Sequence, residues 1–98
     1  MNIHKEQEQN RLTIKLEGRL DTVTAPLLEA EILAMDGQTS ELILDFSELK
    51  YLSSSGLRVI VSAHKWLAGR GRLIIRNVQK SVMEVFDITG FTEVLTLE

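Results

Sequence analysis

From Leu12 to Glu17, apolar and polar residues alternate without a break. A period of two buries every second side chain, so this stretch predicts a β-strand with one buried face. The stretch from Ile3 to Gln9 before it is mostly polar, which predicts an edge strand. We expect the two strands to pair as a hairpin that turns at Gln9 and Asn10.

Two further stretches have the period of an α-helix. The first carries apolar residues three or four positions apart: Ala25, Leu28, Ile32 and Met35. Thr22 or Thr24 can cap its start, and Pro26 lies in the first turn, where a missing N–H costs little. Gly37 suits a position just beyond its end. The second helix is expected from Leu57 to Ala68.

Two short apolar runs, 42–44 and 73–75, predict buried strands on either side of the second helix. Together they form a βαβ unit with a right-handed crossover. The run 42–44 is apolar on both of its faces, as expected for a central strand covered by helices. The segment 81–84 matches a capping box that opens a third helix, which Gly90 ends before a last strand at 94–97.

The order of these elements, β-β-α-β-α-β-α-β, predicts an α/β fold: a mixed sheet of four to five strands with three to four helices. We expect residues 1–98 to form one domain, because 98 residues are close to the common size of a domain with a single core. No internal repeat or linker interrupts the sequence.

The amino-acid composition limits the cellular location and the class of partner that we expect for the chain. The sequence has no cysteine, no apolar run near the ~20 residues that span a bilayer, and no signal-peptide pattern, so we expect a cytoplasmic protein without membrane insertion. A net charge of −3 argues against nucleic-acid binding, which normally needs a basic stripe. Residues 1–50 carry 5 basic and 10 acidic side chains, whereas residues 51–98 carry 6 and 4. This asymmetry could steer a protein partner or merely solvate the surface.

Catalytic patterns are missing from the sequence. It contains no phosphate-binding glycine loop, dinucleotide fingerprint or nucleophile elbow. His4 and His64 lack the spacing of metal ligands. Asp21, Asp45 and Glu48 could cluster around a hard cation at the strand ends, although loop solvation is the commoner reason for such residues. We therefore expect a protein that is not an enzyme and that needs no cofactor or metal ion.

Three consecutive serines, Ser53 to Ser55, precede Gly56 at the start of the second helix. One serine is enough to cap a helix, a contact worth about 1 kcal/mol, so three exceed that need. They also follow the carboxyl end of a central strand, where open α/β sheets place functional sites. A phosphoryl group there would meet free N–H groups and the positive end of the helix dipole. The residues alone leave capping and phosphorylation as two open interpretations.

The stretch from Asp45 to Leu57, DFSELKYLSSSGL, resembles the signature of STAS domains, specifically of bacterial anti-sigma factor antagonists. That signature has a strand, Asp-Leu/Phe-Ser, a few residues, and then Asp-Ser-Ser-Gly-Leu at the opening of a helix. Two other segments are similar to family elements, namely Gly18 to Asp21 followed by Ala25-Pro26, and Ile88 to Phe91. The resemblance covers essentially the whole chain.

The resemblance implies partner switching. In such proteins the unmodified antagonist binds an anti-sigma factor that is also a serine kinase, and this binding releases a sigma factor. Phosphorylation by the kinase ends the binding, and a serine phosphatase resets the switch. The implied acceptor is Ser55, with Ser54 and Ser53 as alternatives. The residues implied in partner binding are Asp21, Thr22, Ser53, Ser54, Ser55, Gly56, Leu57, Arg58 and Val61.

One position departs from the family pattern, because Ser53 replaces the aspartate before the two serines. A carboxylate there could organise the loop or present charge to the kinase, and serine does neither as well. The alternative function is therefore a constitutive interaction subunit of a transporter or a signalling assembly, in which the serines only cap the helix.

Overall fold

The computed structural model describes residues 1–98, and its elements follow the predicted order. The strands are β1 (Asn2–Glu8), β2 (Arg11–Leu20), β3 (Glu41–Leu52), β4 (Arg72–Arg76) and β5 (Thr96–Leu97). The helices are α1 (Ala25–Leu33), α2 (Ser54–Leu67) and α3 (Lys80–Thr89), and a 3₁₀ turn (Phe91–Glu93) follows α3. The predicted α/β fold, with a mixed sheet of four to five strands and three to four helices, is confirmed.

The sheet has the strand order β1-β2-β3-β4-β5, with β1 antiparallel to β2 and every other pair parallel. Because the parallel crossovers all advance in one direction, right-handed connections place the three helices on one face of the sheet. A single apolar cluster joins that face to all three helices. Its fully buried members include Ile14, Leu44, Ile75, Leu28, Ile60 and Phe86.

The opposite face of the sheet has no helix on it, so the expectation that helices cover both faces of residues 42–44 is wrong. Ile43 is nevertheless buried there, opposite the buried Ile74. In the next row Glu41 accepts hydrogen bonds from Arg11 at 2.6 Å and from Arg72 at 2.9 Å. The bond from Arg72, followed by that from Arg11, holds the pKa of Glu41 below its usual value. Long charged side chains can thus cover apolar neighbours with their aliphatic stems.

Helix α1 begins at the expected place, but the Thr24 side chain does not cap it, and the helix ends early. Thr24 occupies the N-cap position, while Leu33 is the last helical residue, well before the predicted end near Gly37. The Asp36 carboxylate accepts a hydrogen bond from the Gln38 N–H at 2.8 Å. This bond closes a local turn around Gly37, beyond the end of the helix.

Helix α3 does not use the predicted capping box. It begins at Lys80 with Gln79 at the N-cap position, so Ser81 already lies inside the first turn. The Gln79 amide donates a hydrogen bond to the Ser47 carbonyl on β3. This tertiary contact fixes where the chain enters the helix and overrides the local sequence pattern. Gly90 ends the helix in the left-handed conformation, with a φ of 80°, as expected.

Candidate functional site

Two loops meet at the edge of the sheet where β2 and β3 end. The loop after β2 contains residues 21–24, and the segment after β3 opens α2 at residues 53–55. The Ser53 N–H donates a hydrogen bond to the Leu20 carbonyl at 2.9 Å and ties the two loops together. Because the strands are parallel, both loops lie at their carboxyl ends, where open α/β sheets place functional sites.

Ser53 caps helix α2. Its backbone is extended, and its hydroxyl accepts a hydrogen bond from the Gly56 N–H at 3.3 Å. Its carbonyl accepts from the Leu57 N–H at 2.9 Å. One serine therefore supplies the side-chain cap of the helix, and the hydroxyls of Ser54 and Ser55 are left for other contacts.

Ser55 is partly exposed at the junction of the two loops. Its Oγ lies 3.2 Å from the Thr22 Oγ1 on the neighbouring loop. The backbone N–H groups of Ser54 and Ser55 donate no hydrogen bond within the chain. Such N–H groups carry the positive end of the helix dipole. A negative group on the Ser55 hydroxyl would therefore meet a favourable electrostatic environment.

Asp21 orders the loop that presents Thr22. Its Oδ1 accepts hydrogen bonds from the Thr24 N–H and the Val23 N–H, each at 3.0 Å. These bonds, with that from Thr24 foremost, hold the pKa of Asp21 below its usual value, and the Arg19 guanidinium 3.8 Å away acts in the same direction. The carboxylate is thus ionised and fixes the turn from β2 into α1.

Gly56 and Leu57 face inward rather than toward solvent. A Cβ on Gly56 would lie 2.7 Å from the Leu20 Cγ and 2.8 Å from the Leu52 Cδ1. A larger residue would push the start of α2 away from the ends of β2 and β3. Leu57 is only 7% exposed. Both were expected to bind a partner, but they lie beneath the exposed residues of the site and hold the start of α2 in position.

The remaining predicted residues, Arg58 and Val61, lie on the outer side of α2. They line a shallow groove together with Ser54, Leu57, Ser62, Lys65 and Phe91. Three members of this groove, Ser62, Lys65 and Phe91, are not among the residues expected from the sequence. Lys65 follows Arg58 by seven positions, a helical spacing that could have revealed it. Phe91 lies on the 3₁₀ turn, and only the tertiary fold brings it to α2.

The residues considered for a cation do not form a metal site. No group of three or more His, Asp or Glu side chains is placed to hold a metal ion. Asp45 instead accepts hydrogen bonds from the Ser47 N–H at 2.9 Å and the Asn77 amide at 3.1 Å. Burial raises the pKa of Asp45, but these bonds outweigh it and the net shift is downward. Glu48 is exposed on β3.

None of the helices combines the length and the apolar character needed to cross a membrane.

Known proteins resemble the chain over nearly its whole length. The anti-sigma-B factor antagonist of Bacillus subtilis is 26% identical over 98 residues, which cover 99% of this chain and 90% of that protein. A Bordetella bronchiseptica protein assigned as anti-sigma factor antagonist BtrV is 33% identical over 96 residues, covering 96% of this chain and 83% of that protein.

Solved structures share the fold. The anti-sigma factor antagonist SpoIIAA in its unphosphorylated form superposes with a TM-score of 0.78 at 23% identity, covering 99% of this chain and 87% of that chain. SpoIIAA of Bacillus in its phosphorylated form gives 0.77 at 24% identity, covering 99% and 91%. The family model for the STAS domain matches residues 2–98. The chain therefore belongs to the STAS domain family.

Proposed function

We propose that residues 1–98 form one STAS domain that acts as an anti-sigma factor antagonist and is switched by phosphorylation of Ser55. The chain is a binding module and not an enzyme, and it works in the cytoplasm, where ATP and sigma factors meet. The names of the curated relatives support this role. The observation that carries the switch is the position of Ser55, whose hydroxyl is not needed to cap α2 and lies beside unpaired N–H groups.

In the proposed cycle the unmodified chain binds an anti-sigma factor that is also a serine kinase, and this frees a sigma factor. The kinase transfers the γ-phosphoryl group of ATP to the Ser55 Oγ, with ADP as the leaving group and loss of the hydroxyl proton. The phosphate adds about −1.5 to −2 charges at pH 7. A partner packed over Ser55 would have to desolvate these charges, so binding ends. A serine phosphatase then restores the hydroxyl.

The hydrogen bonds of the three serines favour Ser55 as the phosphate acceptor. Ser53 is occupied as the cap of α2. Ser54 is exposed and makes no side-chain hydrogen bond, whereas Ser55 contacts Thr22 on the second loop. A phosphate on Ser55 would therefore affect both loops of the site at once. Because Ser53 caps the helix, the missing aspartate of the family pattern does not leave this loop without an organising group.

The proposal can be tested with the kinase-type anti-sigma factor that copurifies with the chain, incubated with ATP. Intact-mass and peptide mass spectrometry should report one phosphate on the wild-type chain. Ser55→Ala should abolish it, while Ser54→Ala, the matched neighbour, should keep it. Phosphate on Ser53 or Ser54 with Ser55→Ala unaffected would overturn the site assignment.

A constitutive interaction subunit is the second candidate function. It is favoured by the absence of a carboxylate at position 53, where the family pattern has aspartate. If this function is correct, the native chain should copurify stably with a transporter or signalling assembly. It should then carry no phosphate on any serine. The mass measurement on the native protein therefore separates the two functions.

A further inference from the structure

The groove along α2 combines an apolar floor with a basic rim. Leu57, Val61 and Phe91 form its apolar part. Arg58 and Lys65 stand on its rim, and both are exposed. The groove measures about 310 Å³ and is open to solvent. A flat apolar ligand would leave both cations unused, whereas a segment with matching charges would engage the whole surface.

The two cations of the groove have no acidic partner in the chain. Neither Arg58 nor Lys65 lies within ion-pair distance of a carboxylate, in contrast to Arg11, Arg72 and Arg76 on the sheet. Helix α2 contains no Asp or Glu at all. Since the whole chain carries a net charge of −3, this basic rim differs in sign from the average surface. It would attract an acidic partner to this face.

Resting on the proposed function, we infer that this groove binds an acidic, amphipathic segment of the anti-sigma factor. Arg58 and Lys65 are seven residues apart, which corresponds to about 10 Å along a helix. The complementary segment carries two carboxylates about 10 Å apart with an apolar side chain between them. In an α-helix this is met by acidic residues at i and i+7 with apolar residues at i+3 or i+4.

The groove also explains how the modification of Ser55 reaches the partner. Ser55 precedes Arg58 by three residues, and side chains with this spacing are neighbours on a helix surface. Ser54, the other neighbour of the modified position, lies at the end of the groove itself. A phosphate on Ser55 would repel an incoming carboxylate and compete with it for Arg58.

The first test measures the affinity of the anti-sigma factor for charge variants of the chain. The double variant Arg58→Glu/Lys65→Glu should bind at least about tenfold more weakly than wild type, because like charges then face each other. The control Lys50→Glu/Lys80→Glu makes the same change in charge at two exposed lysines outside the groove and should bind like wild type. The variant Arg58→Gln/Lys65→Gln removes both positive charges without reversing them. Circular dichroism of each variant checks that the chain is still folded. If the wild type binds and the groove variant binds equally well, the inference is wrong while the proposed function stands.

If the wild-type chain binds no anti-sigma factor, the proposed function fails and the partner named here is wrong, and a second arm decides whether the groove binds an acidic, amphipathic segment at all. The probe is a synthetic helical peptide of roughly 15 residues with Glu at i and i+7 and Leu at i+3 and i+4. Titration into the ¹⁵N-labelled chain should shift the amide signals of Val61, Lys65 and Phe91 and leave β1 unchanged. A matched peptide with Lys in place of both Glu should cause no such shifts. Shifts that are absent from the groove, or equal for both peptides, would overturn the inference.

Discussion

The hydroxyl oxygens of Thr22 and Ser55 lie 3.2 Å apart, although 33 residues separate them in the sequence. Either oxygen can be the donor of this hydrogen bond. The contact joins the loop after β2 to the first turn of α2. Since both groups are near the surface, water can replace the bond at little cost, and the Ser55 hydroxyl remains available for reaction.

The Thr22–Ser55 contact should appear as coupling in a double-mutant cycle. Thr22→Val and Ser55→Ala each remove one hydroxyl, and the second substitution should cost less when the first is present. We expect a coupling of about 0.5 kcal/mol in the free energy of unfolding, measured by urea denaturation. The control cycle pairs Thr22→Val with Ser54→Ala, which has no side-chain bond to lose, and should be additive. Additivity in both cycles would contradict the contact.

Ser53 should contribute more to stability than Ser54. Ser53→Ala removes the cap of α2 and should lower the free energy of unfolding by about 1 kcal/mol. Ser53→Asp keeps a capping oxygen and adds negative charge at the positive end of the helix, which should add about 0.3–1 kcal/mol at low salt. Ser54→Ala should change stability by less than about 0.5 kcal/mol. Equal losses at both serines in urea denaturation would show that Ser53 is not the cap.

Gly56 should not tolerate a methyl group. Gly56→Ala would bring a Cβ to 2.7 Å from the Leu20 Cγ, so the start of α2 or the Leu20 side chain must move. We expect a loss of about 1–3 kcal/mol in the free energy of unfolding. Gly37→Ala is the matched control, because no atom lies within 4 Å of a Cβ there, and it should be neutral or slightly stabilising. Thermal unfolding of both variants measures the difference.

The free energy of unfolding should fall below about pH 5 because of carboxylates such as Glu41. Its pKa in the folded chain lies below the unfolded value of about 4.3. The unfolded chain therefore takes up protons first, and the stabilisation present above that value is lost as the pH falls through the folded pKa.

The variant Glu41→Gln checks the contribution of Glu41. It should lose part of the pH dependence and of the order of 1 kcal/mol at pH 7, because two arginine contacts weaken. The control Glu93→Gln changes an exposed carboxylate that forms no ion pair within the chain. Urea denaturation between pH 3 and pH 7 measures both. Parallel pH profiles for wild type and Glu41→Gln would contradict the assignment.

Negative charge on Ser55 should weaken partner binding without unfolding the domain. Ser55→Glu places a carboxylate at the second position of α2, where the helix dipole favours it, so stability should be unchanged or slightly higher. Ser81→Glu is the control, since Ser81 is the second residue of α3 and is accessible to solvent. Calorimetric titration with the anti-sigma factor should show reduced affinity only for Ser55→Glu. Equal affinity of the two variants would exclude a charge switch at Ser55.

The elements of the fold could be predicted because local patterns and global packing agree in most of the chain. The alternation from Leu12 to Glu17 gives β2 its buried face, and the apolar run 42–44 lies in the central strand β3. The sequence did not reveal that Ile43 is buried on a face of the sheet that carries no helix. The start of α3 was missed because Gln79 bonds to β3, a contact that no local pattern contains.

The candidate site was predictable in part. The serine cluster at the start of α2 follows from the sequence, because its residues are contiguous and open a helix. The partners that Ser55 and Arg58 acquire in space do not follow from it. Thr22 reaches Ser55 through the parallel pairing of β2 and β3, and Phe91 reaches α2 through the turn after α3. Such contacts depend on strand order and crossover direction, which local residue patterns leave open.

The capping of α2 by Ser53 also bears on protein turnover. A phosphate on Ser55 leaves that cap in place and lies at the positive end of the helix dipole, so it should not raise the small unfolded fraction of the chain. Because degradation in cells follows that fraction, the modified form would be degraded no faster than the unmodified form. A fall in the amount of the modified form would then report removal of the phosphate and not faster loss of the protein.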